Sequence, residues 1–178
     1  MQSDAVEAAL NKQINEELYS AYLYLAMSAR AERLGLPGFG HWFKSQYHEE
    51  LGHADRFYSY ILERDGDVSL DAIARPEIGD NGETALGLFE TSLAHEQYIS
   101  DSIFNLKDLA RKESDHATDV FLEWFVREQI EEEASVRTVV DQLKLVQGQP
   151  NGLFMIDREL AARPAANVIT SGLGVARD

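Results

Sequence analysis

Apolar residues recur every three or four positions along four long stretches of this chain, the spacing of one buried helical face. The first stretch, from about Asp4 to Leu34, carries Leu10, Ile14, Leu18, Ala21 and Leu25 in phase. The second, from about Gly38 to Asp65, repeats through Phe43, Phe57 and Ile61. Phe89, Leu93, Ile103 and Leu106 define the third, from about Glu83 to Lys112. The fourth, from about Ser114 to Gln147, uses Phe121, Phe125, Val136, Val139 and Leu143. Gly52 falls inside the second stretch, where it costs a helix about 1 kcal/mol relative to alanine; its missing side chain reads as room for close packing. A short fifth helix is expected over Gly152–Ala162, ended by Arg163 and Pro164. Residues 163–178, rich in Ala and Gly, read as a flexible tail on a single domain spanning residues 1–162.

The connections set the topology. Gly35-Leu36-Pro37-Gly38 is a tight turn, so helices one and two are antiparallel neighbours, and the short join near Glu113–Asp115 pairs three with four. The segment from Gly66 to Gly82 is longer and carries Pro76 and several aspartates. Its residues can reach roughly 55 Å extended, while helix two is about 42 Å long. The segment can therefore return along the whole bundle and make helices two and three parallel. A floppy insertion is the plainer alternative. The predicted fold is an all-α four-helix bundle with one long crossover and a short fifth helix.

Acids interrupt the apolar stripes. Glu17 is in phase with Leu10, Ile14, Ala21 and Tyr24, and Glu96 with Phe89, Leu93 and Ile103. Glu50 and His53 form a Glu-x-x-His pair between Phe43, Gln46 and Phe57. Glu128 and Glu132 share the stripe of Phe121, Phe125 and Val136, with Gln129 and Glu131 alongside. Residues three or four apart project from one face, so these acids read as inward-facing. They also lie within a few residues of the helix midpoints, near positions 19, 52, 98 and 131. Helix centres share one level of a bundle, so the acids should meet. Several carboxylates cannot share an apolar interior unless cations neutralise them or they retain protons at high cost. Carboxylate oxygen with one imidazole nitrogen suits iron, manganese or zinc. Two such ions need shared carboxylates, and Glu50 and Glu132 are the natural bridges. His41, His48, His95 and His116 read as ordinary histidines, with His95 pointing outward.

Composition narrows the partners. The net charge of −15 disfavours nucleic acid. The absence of cysteine removes disulfides and thiolate metal sites. The longest apolar run near the start, Ala21–Met27, is too short to span a bilayer, so no membrane partner and a cytoplasmic location are expected.

At this point the residues resemble the ferritin family, in its bacterial non-haem branch. The likeness rests on Asn15-Glu16-Glu17-Leu18 with Tyr24, Glu49-Glu50-Leu51-Gly52-His53-Ala54, His95-Glu96-Gln97, and the run from Trp124 to Glu133. Each motif is weak alone, and their order and spacing make the signal. The resemblance implies a first iron site at Glu17, Glu50 and His53, and a second at Glu50, Glu96 and Glu132, with Gln129 and Tyr24 beside them. It also implies a third, accessory ion at Glu49, Glu128 and Glu131. The implied activity is ferroxidase: Fe(II) is oxidised by dioxygen or hydrogen peroxide and laid down as ferric mineral in a hollow homo-oligomer of twenty-four subunits. No haem is expected, because Leu51 stands where haem-containing relatives carry methionine. Those relatives also repeat Glu-x-x-His on helix four, where Glu128 is followed by Glu131. Near the family's three-fold channel the chain has Asp119 but Leu122. The resemblance further implies that the fifth helix lines a four-fold contact, with Leu153, Phe154, Ile156 and Leu160 as its apolar surface. Two other readings of the same acids stay open: a metal-buffering shell with little oxidase activity, and a di-iron oxygenase of an organic substrate.

Overall fold

The computed structural model describes residues 3–164. It contains α1 (Asp4–Arg33), α2 (Pro37–Glu63), α3 (Ala85–Lys112), α4 (His116–Val146) and α5 (Pro150–Ala161), with a single 3-10 turn at Asp80–Glu83 and no strand among the described residues. The tail expected at 163–178 lies, from residue 165 on, outside the described residues. No described helix is long and apolar enough to cross a membrane.

Capping side chains account for most of the helix starts. Ser3 accepts from the Val6 amide, Thr84 from Gly87 and Asp115 from Thr118, each satisfying a first-turn donor that has no partner within its own helix. Thr84 and Asp115 therefore move the starts of α3 and α4 two residues past those the periodicity suggested. In α5 the opposite happens. Pro150, tolerated in a first turn where its missing N–H is not needed, begins the helix two residues early. Helix α2 has no side-chain cap from its own flank. Asp157 of α5 supplies one, its Oδ1 accepting from the amides of Gly38 at 2.8 Å and Phe39 at 3.1 Å. The two backbones run so close there that a Cβ on Gly38 would sit 1.7 Å from the Asp157 carbonyl oxygen.

The crossover is tied down, not floppy. Asn11 donates to the Asp67 carbonyl at 2.9 Å and accepts from the Ser69 amide at 2.7 Å. Asn15 reaches the Asp71 and Ala72 carbonyls at 3.3 Å, and Tyr19 accepts from the Glu77 amide at 3.5 Å. Arg30 meets Glu83 at 2.8 Å. The loop thus follows α1 from its start to its end and delivers α3 antiparallel to α1 and parallel to α2.

The apolar core is divided in two. Leu23, Tyr24, Met27, Phe39, Trp42, Phe43, Phe89, Val136 and Val140 fill one end, closed by Ile156 and Leu160 of α5. Val6, Leu10, Ile14, Phe57, Ile61, Ile103, Leu122 and Phe125 fill the other. Ile156 and Leu160 are therefore spent on the chain's own core, and Phe154 and Met155 are the apolar side chains α5 leaves exposed. Between the two ends lies a polar layer at mid-bundle.

Candidate metal centre

The layer holds Glu17, Glu50, His53, Glu96, Gln129 and Glu132, all buried, together with Gln13 and Gln46. One ligand-capable atom each from Glu17, Glu50 and His53 lies within 4.8 Å of the others, and His53, Glu128 and Glu132 form a second such group. His53 belongs to both, with its Nδ1 3.1 Å from Glu50 Oε2. Glu96 joins neither group. One of its oxygens accepts from Tyr24, which also meets Ser92 at 2.9 Å; the other accepts from Gln129 Nε2 at 3.1 Å. Glu49 and Glu128 are half-buried at the rim, and Glu131 is exposed outside both groups.

Two glutamines steady the acids. Gln13 Nε2 donates to Glu17 Oε1 at 2.9 Å, and Gln46 Nε2 donates to Glu132 Oε2 at 2.6 Å. The sequence reading missed both roles: Gln13 stands one helical turn before Glu17, a spacing that could have signalled it, whereas Gln46 meets Glu132 from another helix. Glu17 Oε2 is fully buried and has no amide or hydroxyl donor, and the Glu17 and Glu50 carboxyls lie close enough to share a proton.

Burial is the main electrostatic cause here, because it penalises the charged form of every acid in the layer. It holds Glu17 and Glu50 well above the usual carboxylate range, and their neighbours' negative charges raise both further. The Glu132 carboxyl is pushed up to about 8, by burial first and then by Glu96 and Glu49. Glu96 is raised by burial despite the opposing hydrogen bonds from Tyr24 and Gln129. Glu49 is raised by burial, with Arg163 pulling the other way. Burial therefore disfavours the charged form of these acids, a cost that a cation can offset.

Other residues depart from their expected places. His95 does not point outward: its Nε2 lies 2.7 Å from Ser20 Oγ, its ring packs by Tyr19, and burial lowers its pKa to about 4. Asp119 is neutralised inside the chain by Lys107 at 2.6 Å and Arg111 at 3.1 Å, and Leu122 is core. Gly52 is not a close-packing site, since a Cβ there would meet nothing within 4 Å. It borders instead a narrow cavity of about 110 Å³ with His48, Glu49, His53, Arg56, Trp124 and Glu128.

A bundle with one long crossover and a layer of buried carboxylates and imidazole at its waist is the architecture of the ferritin-like class. Comparison with known proteins agrees. The Ferritin-like domain model matches residues 7–146. A bacterial non-heme ferritin of Bacteroides fragilis is 42% identical over 163 residues, covering 92% of this chain and all of that protein. A bacterial non-heme ferritin of Staphylococcus epidermidis is 37% identical, covering 92% of this chain and 97% of its own length. The open pore ferritin of Archaeoglobus fulgidus superposes with a TM-score of 0.89 at 39% identity, over 92% of this chain and all of that one. This chain belongs to the ferritin family.

Proposed function

We propose that this protein stores iron and oxidises it on entry, with Fe(II) as substrate and the mid-bundle layer as the ferroxidase centre. Family membership supports iron storage. The observation that carries the finer reading is the buried grouping itself: Glu17, Glu50 and His53 each bring a ligand atom within 4.8 Å of the others, where burial penalises the charge on both carboxyls. Buried carboxylates crowded together cost free energy unless a proton or a cation comes to them. In this reading Glu17, Glu50 and His53 hold one ferrous ion, and Glu50, Glu96 and Glu132 hold the second. The His53–Glu128–Glu132 grouping favours a route in which Glu128 and Glu49, with Glu131 outside them, feed or drain the pair.

Holding two ions side by side lets two electrons leave together, which takes one dioxygen to the level of hydrogen peroxide with two protons consumed. The carboxylates compensate the rising metal charge in a site the two apolar ends keep dry. Tyr24 orients Glu96 through its hydroxyl, and Gln129 fixes the other oxygen. The ferric product then polymerises in the interior of a homo-oligomeric shell of twenty-four subunits. Tyr22, Leu51, Tyr58, Leu62, Phe154 and Met155 are exposed apolar side chains suited to subunit contacts.

Native mass measurement of the purified protein, before and after aerobic loading with ferrous salt, tests the storage reading. A single large assembly that gains hundreds of iron atoms is the expected result. Monomers or dimers at micromolar concentration, or an assembly that gains no more iron than its carboxylates can bind, would overturn it.

A further inference from the structure

We propose that Arg163 is a tethered cation that guards the accessory position at Glu49 and Glu128, and that a metal ion binding there must displace it. The inference rests on the metal-centre reading above.

The guanidinium uses its fork on two partners at once. One nitrogen lies 3.2 Å and 3.1 Å from the two Glu49 oxygens, and the other donates to Gln46 Oε1 at 2.6 Å. Gln46 in turn donates to Glu132 Oε2 at 2.6 Å. Two hydrogen bonds therefore link Arg163, just past α5, through Gln46 to an acid of the main centre. The face of the guanidinium lies over Trp42, 5.1 Å from the ring centroid. The backbone is anchored separately, by His41 Nε2 2.9 Å from the Arg163 carbonyl oxygen.

Glu49 and Glu128 line the same narrow cavity as His53. Arg56 lines that cavity with the two acids, and Arg163, outside the lining, supplies a second cation to Glu49. A divalent ion arriving there competes for the same oxygen lone pairs and is repelled by the positive charge. Arg163 can yield, because the pair is at the surface: the side chains of Arg163 and Glu49 are 27% and 26% exposed. With its backbone held by His41, the side chain can swing out while α5 stays docked. Releasing it also frees Gln46 Oε1, so occupancy at the rim is communicated to Glu132. By linkage, whatever the ion does to Arg163, Arg163 does to the ion's affinity.

The test is calorimetric and optical titration of the full assembled protein with Co(II), a probe that needs no turnover, comparing parent, R163Q, R163K and E49Q. In the parent, a third equivalent per subunit should bind more weakly than the first two. R163Q should tighten that third equivalent about tenfold, R163K should stay near the parent because the charge is kept, and E49Q should abolish it. In the parent, adding the third equivalent should leave hydrogen exchange at the end of α5 unchanged, because only the Arg163 side chain moves, and rescue by R163K is the readout that a merely structural arginine would not give. A third equivalent of unchanged or weaker affinity in R163Q, with two tight ions in both proteins, would sink the role of Arg163 alone. Absence of any tight cobalt in the parent would sink the metal-centre reading and this proposal together.

Discussion

Replacing Glu132 with glutamine isolates the electrostatic cost of the layer, because the two side chains have nearly the same shape. The Glu132 carboxyl is raised from an ordinary 4.5 to about 8, chiefly by burial. Between those values the folded protein holds a proton that the unfolded chain has released. Stability contributed by this group therefore falls as pH rises, and the whole penalty is present above the folded-state value. Each tenfold in proton affinity is worth about 1.4 kcal/mol, so the penalty grows from about 1 kcal/mol near pH 5 to about 4 kcal/mol near pH 8. Glutamine carries no such penalty and can still accept from Gln46. Its own amide donors cost about 1 kcal/mol if left unpaired, and that cost does not vary with pH. Hence E132Q should gain about 3 kcal/mol on the parent between the two pH values, read by denaturant unfolding with chelator present. The same variant should lose one of two tight Co(II) ions while the Glu17, Glu50 and His53 site keeps its own. A stability difference that does not change with pH would refute the electrostatic account.

Three further substitutions probe separate parts of the structure. G38A drives a Cβ into the Asp157 backbone, 1.7 Å from its carbonyl oxygen; undocking α5 then removes the cap on α2 and the burial of Ile156 and Leu160, costing about 3 kcal/mol or more, with loss of hydrogen-exchange protection confined to α5 and the start of α2. G52A meets only open space and should raise the unfolding midpoint, worth about 1 kcal/mol from helix propensity; a lower midpoint would mean that Gly52 is packed in the assembly. E96A removes the acceptor for Tyr24 and Gln129, so chelator-treated protein should be destabilised by about 2 kcal/mol, opposite in sign to E132Q, and a rise in stability would show that relief of anionic repulsion outweighs those hydrogen bonds.

The four helices were legible because a 3.6-residue period sustained over seven or eight turns has few other readings. The waist layer was legible for a geometric reason: Glu17, Glu50, Glu96 and Glu132 lie near helix midpoints, and midpoints coincide in a bundle whatever each helix's direction. Local chemistry decided the helix ends that periodicity missed, as with the Thr84 and Asp115 caps. What stayed hidden depends on pairs far apart in sequence. Asp157 caps α2 across more than a hundred residues, and Arg163 reaches Gln46 and Glu49 over a similar separation. No period announces such contacts. Glu96 was readable as an inward acid, but its turn toward Tyr24 and Gln129 is a rotamer choice set by the finished packing. His95 looked outward by register and is drawn inward by Ser20 and Tyr19.

The central claim is that the buried acids form a two-ion ferroxidase centre, and its most direct measurement is stopped-flow oxidation of Fe(II) by metal-free protein with oxygen uptake recorded at the same time. The account predicts a fast phase whose amplitude saturates at about two Fe(II) per subunit, consuming about one O2 per two iron, as a paired two-electron transfer requires. Tight Fe(II) binding with no oxygen uptake beyond that of iron in buffer would contradict it and leave a metal-buffering shell.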